Sequence, residues 1–128
     1  MKQILFIFTA ILLATSAAFA QNSDQPVISA EEVVYDFGQI KESDGPISHT
    51  FQVSNVGGAP MVITRVIASC GCTTPKWTKE PIAPGQNGTV SITFDPANRP
   101  GPFAKTISVY GNGKKGSFIL TIRGDVVE

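Results

Sequence analysis

Two cysteines separated by a single glycine are the residues of this chain best suited to chemistry. Cys70 and Cys72 are the only cysteines among its 128 residues. The Cα atoms of residues i and i+2 lie about 5.5 to 7 Å apart, which overlaps the range that a disulfide tolerates. Gly71 lets the backbone bend enough to close such a ring. The pair is therefore interpreted in three ways: as a local structural bridge, as a redox-active or intermolecular thiol pair, or as part of a soft-metal site.

These three interpretations make different demands on the rest of the sequence. A disulfide across so few residues removes little chain entropy from the unfolded state. A redox pair usually has two residues between its cysteines and lies at a helix N-terminus, whereas this pair has one and no helix is predicted after it. A Cu(I) or Zn(II) site needs more ligands than two thiolates. The candidates are His49, the only histidine, and Met61, the only methionine after position 1.

Trp77 follows the cysteines closely and has two candidate roles. As the single tryptophan, it could plug one end of the domain or cover the cysteine pair. Alternatively, it could be an exposed anchor for a partner, because tryptophan is enriched at binding hot spots. Lys76 beside it is a second candidate for partner binding.

The other reactive side chains show no catalytic arrangement. The carboxylates have no spacing that predicts general acid–base catalysis, and no Ser-His-Asp or Cys-His arrangement is readable. His49 is expected to be a surface or loop residue just before a strand. No cofactor-binding motif is present. We therefore predict a protein that is not an enzyme and uses no cofactor, and a hydrolase has no positive support.

The first twenty residues have the three-part pattern of a cleaved secretory signal peptide. Lys2 gives a positive start, residues 4–13 are almost wholly apolar, and residues 14–20 are mostly small and end in Ala-Phe-Ala, as the signal peptidase requires. A transmembrane anchor needs about 20 apolar residues, and this run is shorter. We predict cleavage after Ala20 and an exported protein, periplasmic or associated with the cell envelope, with no membrane span after cleavage.

The mature chain is long enough for one domain. The predicted organisation is a signal peptide over residues 1–20, a flexible lead-in over 21–31 and one domain over 32–128. Removal of Lys2 with the leader leaves nine basic and ten acidic residues, and no basic run stands out. Nucleic acid is therefore not an expected partner.

Short apolar runs with period two, punctuated by Gly, Pro and Asn, predict an all-β domain without a substantial helix. Residues 61–68 have apolar side chains on both faces, which predicts a central strand or one that bulges. Residues 70–87 are expected to be irregular. About seven strands in roughly 100 residues predict an immunoglobulin-like β-sandwich. The candidate strands are residues 32–37, 48–54, 61–68, 89–94, 103–110 and 117–126.

A more specific pattern lies between positions 62 and 109. Cys-Gly-Cys-Thr at 70–73 follows a strand, Pro84-Gly85 forms a turn, the next strand ends in Asp95, and Gly-Pro-Phe-Ala-Lys occupies 101–105. Phe37-Gly38 and the strand through residues 51–55 extend the pattern towards the N-terminus.

This pattern resembles a bacterial family of exported proteins of unknown function, similar in turn to immunoglobulin-like sandwiches of the Hydin and major-sperm-protein type. The resemblance covers approximately residues 32–126. It implies the fold and the compartment but no activity, because the family has no settled function.

Two functions follow as hypotheses. The first is a non-enzymatic interaction module of the bacterial cell envelope, with a protein or glycan partner. The alternative is a small periplasmic redox or soft-metal handling protein that acts through Cys70 and Cys72.

Overall fold

Eight strands make up most of the domain. The computed structural model describes residues 25–113 and 116–128. Within these ranges the helical content is a single 3-10 turn, Glu42–Asp44. The strands are β1 Ile28–Ser29, β2 Val34–Lys41, β3 Ile47–Asn55, β4 Ile63–Ala68, β5 Thr73–Trp77, β6 Asn87–Phe94, β7 Gly101–Gly111 and β8 Ser117–Val127.

The strands form two four-stranded sheets that enclose one core. Sheet A has the order β1-β3-β6-β5, and sheet B has the order β2-β8-β7-β4. Neighbouring strands are antiparallel except β2 and β8, which are parallel. The chain therefore changes sheets five times, at every connection except those between β5 and β6 and between β7 and β8. The predicted all-β sandwich is confirmed.

Alternation of apolar and polar side chains decides which face of each strand is buried. The fully buried side chains of β3 and β6 alternate with polar neighbours, as the period-two pattern predicted. β7 and β8 form an antiparallel hairpin, paired from Gly101–Val126 to Tyr110–Ser117. The buried apolar residues are Phe51, Val53, Met61, Ile63, Val66, Cys72, Ile82, Val90, Ile92, Phe94, Ile107, Val109, Leu120, Ile122 and Val126.

Two local expectations need correction, and for β4 the structure decides between the two expected alternatives. Ile28 and Ser29, inside the expected flexible lead-in, form β1 and pair with Asn55 and Ser54. The segment expected to be irregular contains β5, which completes sheet A as an edge strand. β4 is also an edge strand rather than a central one, and the register shift between Ile63 and Arg65 is the bulge expected as the alternative.

The predicted signal peptide lies outside the described residues. Within the described ranges, no helix has the length and apolar character needed to cross a membrane.

Candidate functional site

Cys70 and Cys72 form a disulfide where the chain crosses from sheet B to sheet A. Their Sγ atoms are 2.00 Å apart and their Cα atoms 5.2 Å apart. Cys72 is buried, and its carbonyl accepts a hydrogen bond of 2.9 Å from the Asp95 amide after β6. The ring therefore joins the end of β4 to the start of β5. This position fits a structural bridge.

We expect reduction of this disulfide to weaken the domain without unfolding it. A closed loop of three residues corresponds to about 1.6 kcal/mol of loop entropy at 25 °C, so the free energy of unfolding should fall by about that amount. Urea unfolding with and without a reducing agent measures the difference. In the Cys70→Ser/Cys72→Ser control, unfolding must not respond to the reductant. Reduced protein that is already unfolded in buffer would contradict the expectation.

His49 lies within β3, and its ring belongs to an aromatic cluster between the sheets. It stacks on Tyr35 of β2 with centroids 3.6 Å apart and meets Phe51 edge-on at 4.7 Å. Its Nε2 lies 2.5 Å from Glu32 Oε1, and only 19% of the side chain is exposed. The expected surface or loop position is therefore wrong.

Met61 is buried at the opposite end of β4 from the disulfide. Its backbone forms an isolated bridge with Ile82. The six residues of β4 separate it from Cys70, roughly 20 Å at the rise of a strand. The described residues contain no group of three or more His, Cys, Asp or Glu that could hold a metal ion. The structure therefore does not assemble the soft-metal ligand set of Cys70, Cys72, His49 and Met61.

Lys76 and Trp77 point to opposite sides of β5. Lys76 is exposed on the outer face of sheet A. Trp77 is half-buried against the core, and the Lys79 Nζ lies 3.2 Å from the centroid of its ring. Trp77 is at the far end of β5 from Cys72, so it covers the edge of the sandwich and not the cysteine pair.

The outer face of sheet A is polar and almost uncharged. Its side chains hydrogen-bond across strands: Ser48 to Thr93 at 2.7 Å and Ser54 to Asn87 at 2.9 Å. Lys76 is its only charged member within β3, β5 and β6. The face consists of Ser48, Thr50, Gln52, Ser54, Thr74, Lys76, Asn87, Thr89, Ser91 and Thr93.

The outer face of sheet B has an apolar centre. Ile67, Ser108 and Ile119 lie side by side across β4, β7 and β8. Ile67 is 47% exposed and Ile119 44%. Val34, 45% exposed, pairs with Thr121 two residues further along β8. We call Val34, Ile67 and Ile119 the apolar strip.

Charged and aromatic groups flank the apolar strip at both ends. The Arg65 guanidinium lies 4.2 Å from the centroid of the Tyr110 ring. At the other end, Arg123 Nε lies 3.2 Å from Asp36 Oδ2. An apolar centre with arginine and tyrosine around it has the composition of a protein-binding surface.

The residues of this strip were missed as functional candidates, although the sequence contains a signal for them. Ile119 stands between Phe118 and Leu120 at a position where alternation calls for a polar residue. Ile67 belongs to the run with apolar side chains on both faces. A β-branched residue at an outward position also favours strand formation. The pattern alone therefore does not show whether such a residue stabilises the strand or binds a partner.

The DUF1573 family, described as a protein of unknown function, matches residues 28–126. No curated protein matches the chain. A protein of unknown function from Porphyromonas gingivalis W83 superimposes with a TM-score of 0.70 and 20% identity, over 83% of this chain and 50% of that one.

Two further solved structures share the fold. The VesB protease of Vibrio cholerae has a TM-score of 0.59 and 18% identity, over 82% of this chain and 32% of its own. The YadV chaperone has a TM-score of 0.51 and 16% identity, over 80% and 51%. The chain thus spans about half, or less, of each of these three solved proteins, and identities this low show a common fold alone.

Proposed function

The chain belongs to the DUF1573 family of unknown function, and we propose that it is a non-enzymatic interaction module of the bacterial cell envelope. It binds a protein partner through the outer face of sheet B. The observation that carries the proposal is the apolar strip, which holds three of the five large hydrophobic side chains exposed among the described residues.

The contrast between the two outer faces supports this assignment. On sheet A, neighbouring hydroxyl and amide groups satisfy one another across strands. On sheet B, Ile67 and Ile119 expose apolar surface on either side of Ser108. Clustered exposed apolar side chains with a polar rim are a common mark of a binding site in a soluble protein.

A partner with an apolar contact surface and a polar rim is complementary to the outer face of sheet B. Burying one isoleucine side chain contributes about 1.5 to 3 kcal/mol. The double variant Ile67→Ser/Ile119→Ser should therefore weaken binding at least about tenfold. Its fold should be retained, because both side chains point away from the core.

Site-specific photo-crosslinking in cells tests this proposal. A photoreactive residue at position 119 should give one discrete protein adduct, which disappears when Ile67→Ser is added. The matched control places the same group at position 89, on the polar face of sheet A. Equal adducts from positions 89 and 119, or none from position 119, would overturn the proposal.

Export and cleavage are tested separately, by the intact mass of the protein isolated from the envelope fraction. We expect the mass of residues 21–128 with two cysteines that an alkylating agent labels only after reduction. A full-length mass in the cytoplasmic fraction would refute the proposed compartment and leave the binding surface as a separate question.

A further inference from the structure

Among the described residues, strand β3 is paired along its outer edge only at one end. β1 pairs with β3 over Asn55 and Ser54 alone. After Ser29 the chain turns away from β3 towards β2 in the other sheet. The lower part of β3, from Ile47 to Val53, is thus bonded to β6 on one side and to no other strand of the described chain.

The alternation of backbone groups in an antiparallel strand shows which residues face this edge. The Asn55 N–H and C=O both bond towards the β6 side, to Gln86 and Gly85. The Val56 N–H bonds to Val27 on the β1 side. Since successive residues of a strand alternate sides, the backbone groups of Gln52, Thr50 and Ser48 point to the open edge.

These three residues are exposed. Within residues 25–113 and 116–128, their backbone N–H and C=O groups have no hydrogen-bond partner at this edge. Three donors and three acceptors in a row are a template for an additional strand.

The other long edge strands, β5, β2 and β4, each contain a feature that hinders pairing with a further strand. In β5, Pro75 stands in the middle of the strand, and a proline lacks the N–H that an added strand would need. β2 has a bulge between Asp36 and Gln39, where the Asp36 carboxylate accepts the Gly38 N–H at 2.7 Å. β4 has a bulge after Ile63. Bulges and prolines are common protections of edge strands, and the open part of β3 has neither.

A cleft of about 370 Å³ borders this edge at Thr50 and Gln52. It is lined by Glu31, Glu32, Thr50, Gln52, Ser54 and Asn87. Glu32 is bonded to His49, whereas the exposed Glu31 has no ion-pair partner in the described part of the chain. Glu31 therefore brings a negative charge to the same cleft that Gln52 lines.

We propose that the open edge of β3 binds an extended peptide as an additional antiparallel or parallel strand, with a lysine or arginine of the peptide beside Glu31. Backbone hydrogen bonds to Ser48, Thr50 and Gln52 hold the peptide, as in other cases of strand addition. Its inward side chains lie near Ile47 and the Tyr35–His49 stack, which favours apolar residues at alternate positions. This site is independent of the apolar strip on sheet B.

Hydrogen exchange of the free protein provides the first test. The amides of Ser48, Thr50 and Gln52 should exchange much faster than those of Phe51 and Val53, which bond to β6. Equal protection of all five amides in the free protein would show that the edge is already covered and would overturn the proposal.

The second test uses a panel of seven-residue peptides of alternating valine and threonine, with one lysine at each polar position in turn. NMR of the labelled protein should show protection and shifts at Ser48, Thr50 and Gln52 with at least one peptide. Changes confined to other residues, or no change with any peptide of the panel, would overturn the proposal.

Two variants with matched controls separate the backbone and charge contributions. Thr50→Pro removes one outward N–H and should weaken binding at least tenfold, whereas Thr50→Val keeps the N–H and should bind normally. Glu31→Gln should weaken the lysine peptide about two- to fivefold, as expected for an exposed ion pair. It should leave the glutamine analogue of the peptide unaffected.

Each outcome of these comparisons bears on the proposal. Equal binding by the proline and valine variants at position 50 would refute strand addition. If Thr50→Pro does not fold, the hydrogen-exchange pattern and the Glu31→Gln comparison still test whether a peptide binds at this edge. The Ile67→Ser/Ile119→Ser variant should bind the peptide normally, which keeps this site distinct from the sheet B surface.

Discussion

Replacing Asn55 with alanine should lower the free energy of unfolding by about 3 to 4 kcal/mol. Asn55 is fully buried. Its Oδ1 accepts the amides of Val27 at 3.2 Å and Gly57 at 3.0 Å. Its Nδ2 donates to the carbonyls of Ala59 at 2.7 Å and Ile82 at 2.9 Å.

The size of the expected destabilisation follows from the backbone groups that the substitution leaves without hydrogen-bond partners. Alanine removes the partner of two N–H and two C=O groups in a place largely closed to water. Each unsatisfied buried group costs about 1 to 3 kcal/mol, and partial relaxation reduces the total. For a domain of this length, the melting temperature should fall by about 15 to 25 °C, measured by calorimetry with urea unfolding as a second method.

Asn112→Ala is the matched control. Asn112 also uses both ends of its amide, accepting from the Val62 N–H at 2.9 Å and donating to the Pro60 carbonyl at 3.1 Å. It is exposed, so water replaces the lost partners and the cost should stay below about 1 kcal/mol. Similar losses of unfolding free energy in the two variants would show that burial does not determine how strongly Asn55 stabilises the domain.

Local pattern was enough to predict most of the sandwich. β3, β6 and β8 each bury one face, so alternation of side chains identifies both the strand and its inward face. Residue types that break such strands, such as Pro96 and Pro100, also mark the loop before β7. The fold class was therefore predictable without any knowledge of which strands pair.

The two strands that were not predicted lack this pattern. β1 has two residues, too few for a period, and it is held by long-range bonds such as the one between Asn55 and Val27, 28 positions apart in sequence. β5 contains Thr73, Pro75 and Trp77 on its inward face, a proline being a signal against a strand. It forms because β6 offers it a partner, which is a tertiary effect.

The candidate site was likewise predictable only where it depends on residues close together in the sequence. Bonding between Cys70 and Cys72 was among the sequence interpretations, because only Gly71 separates the two residues along the chain. His49 and Met61 could not be placed relative to the disulfide, since that requires the order of the sheets. The open edge of β3 is still less readable, because it depends on where β1 leaves the sheet.

Phe94→Ala should destabilise the domain by about 3 to 5 kcal/mol, the usual range for truncating a buried phenylalanine. Phe94 is fully buried and lies in β6 between Ile47 of β3 and Thr73 of β5. Its ring stacks on Phe103 of β7 with centroids 4.1 Å apart and an interplanar angle of 18°. The substitution therefore opens a cavity between the two sheets, where β3, β5 and β6 face β7. Thr73 directly follows Cys72, so this cavity lies at the disulfide end of the sandwich.

Phe103→Ala distinguishes the cavity from the ring contact. It removes the same stacking pair, but Phe103 is only partly buried, so water fills part of the space and the cost should be about half as large. The double variant then gives the coupling between the rings, expected to be about 0.5 to 1.5 kcal/mol. Urea unfolding of the four proteins measures all three quantities. If Phe103→Ala costs as much as Phe94→Ala, the stack rather than the cavity dominates, and the disulfide end of the sandwich depends on one aromatic pair between its sheets.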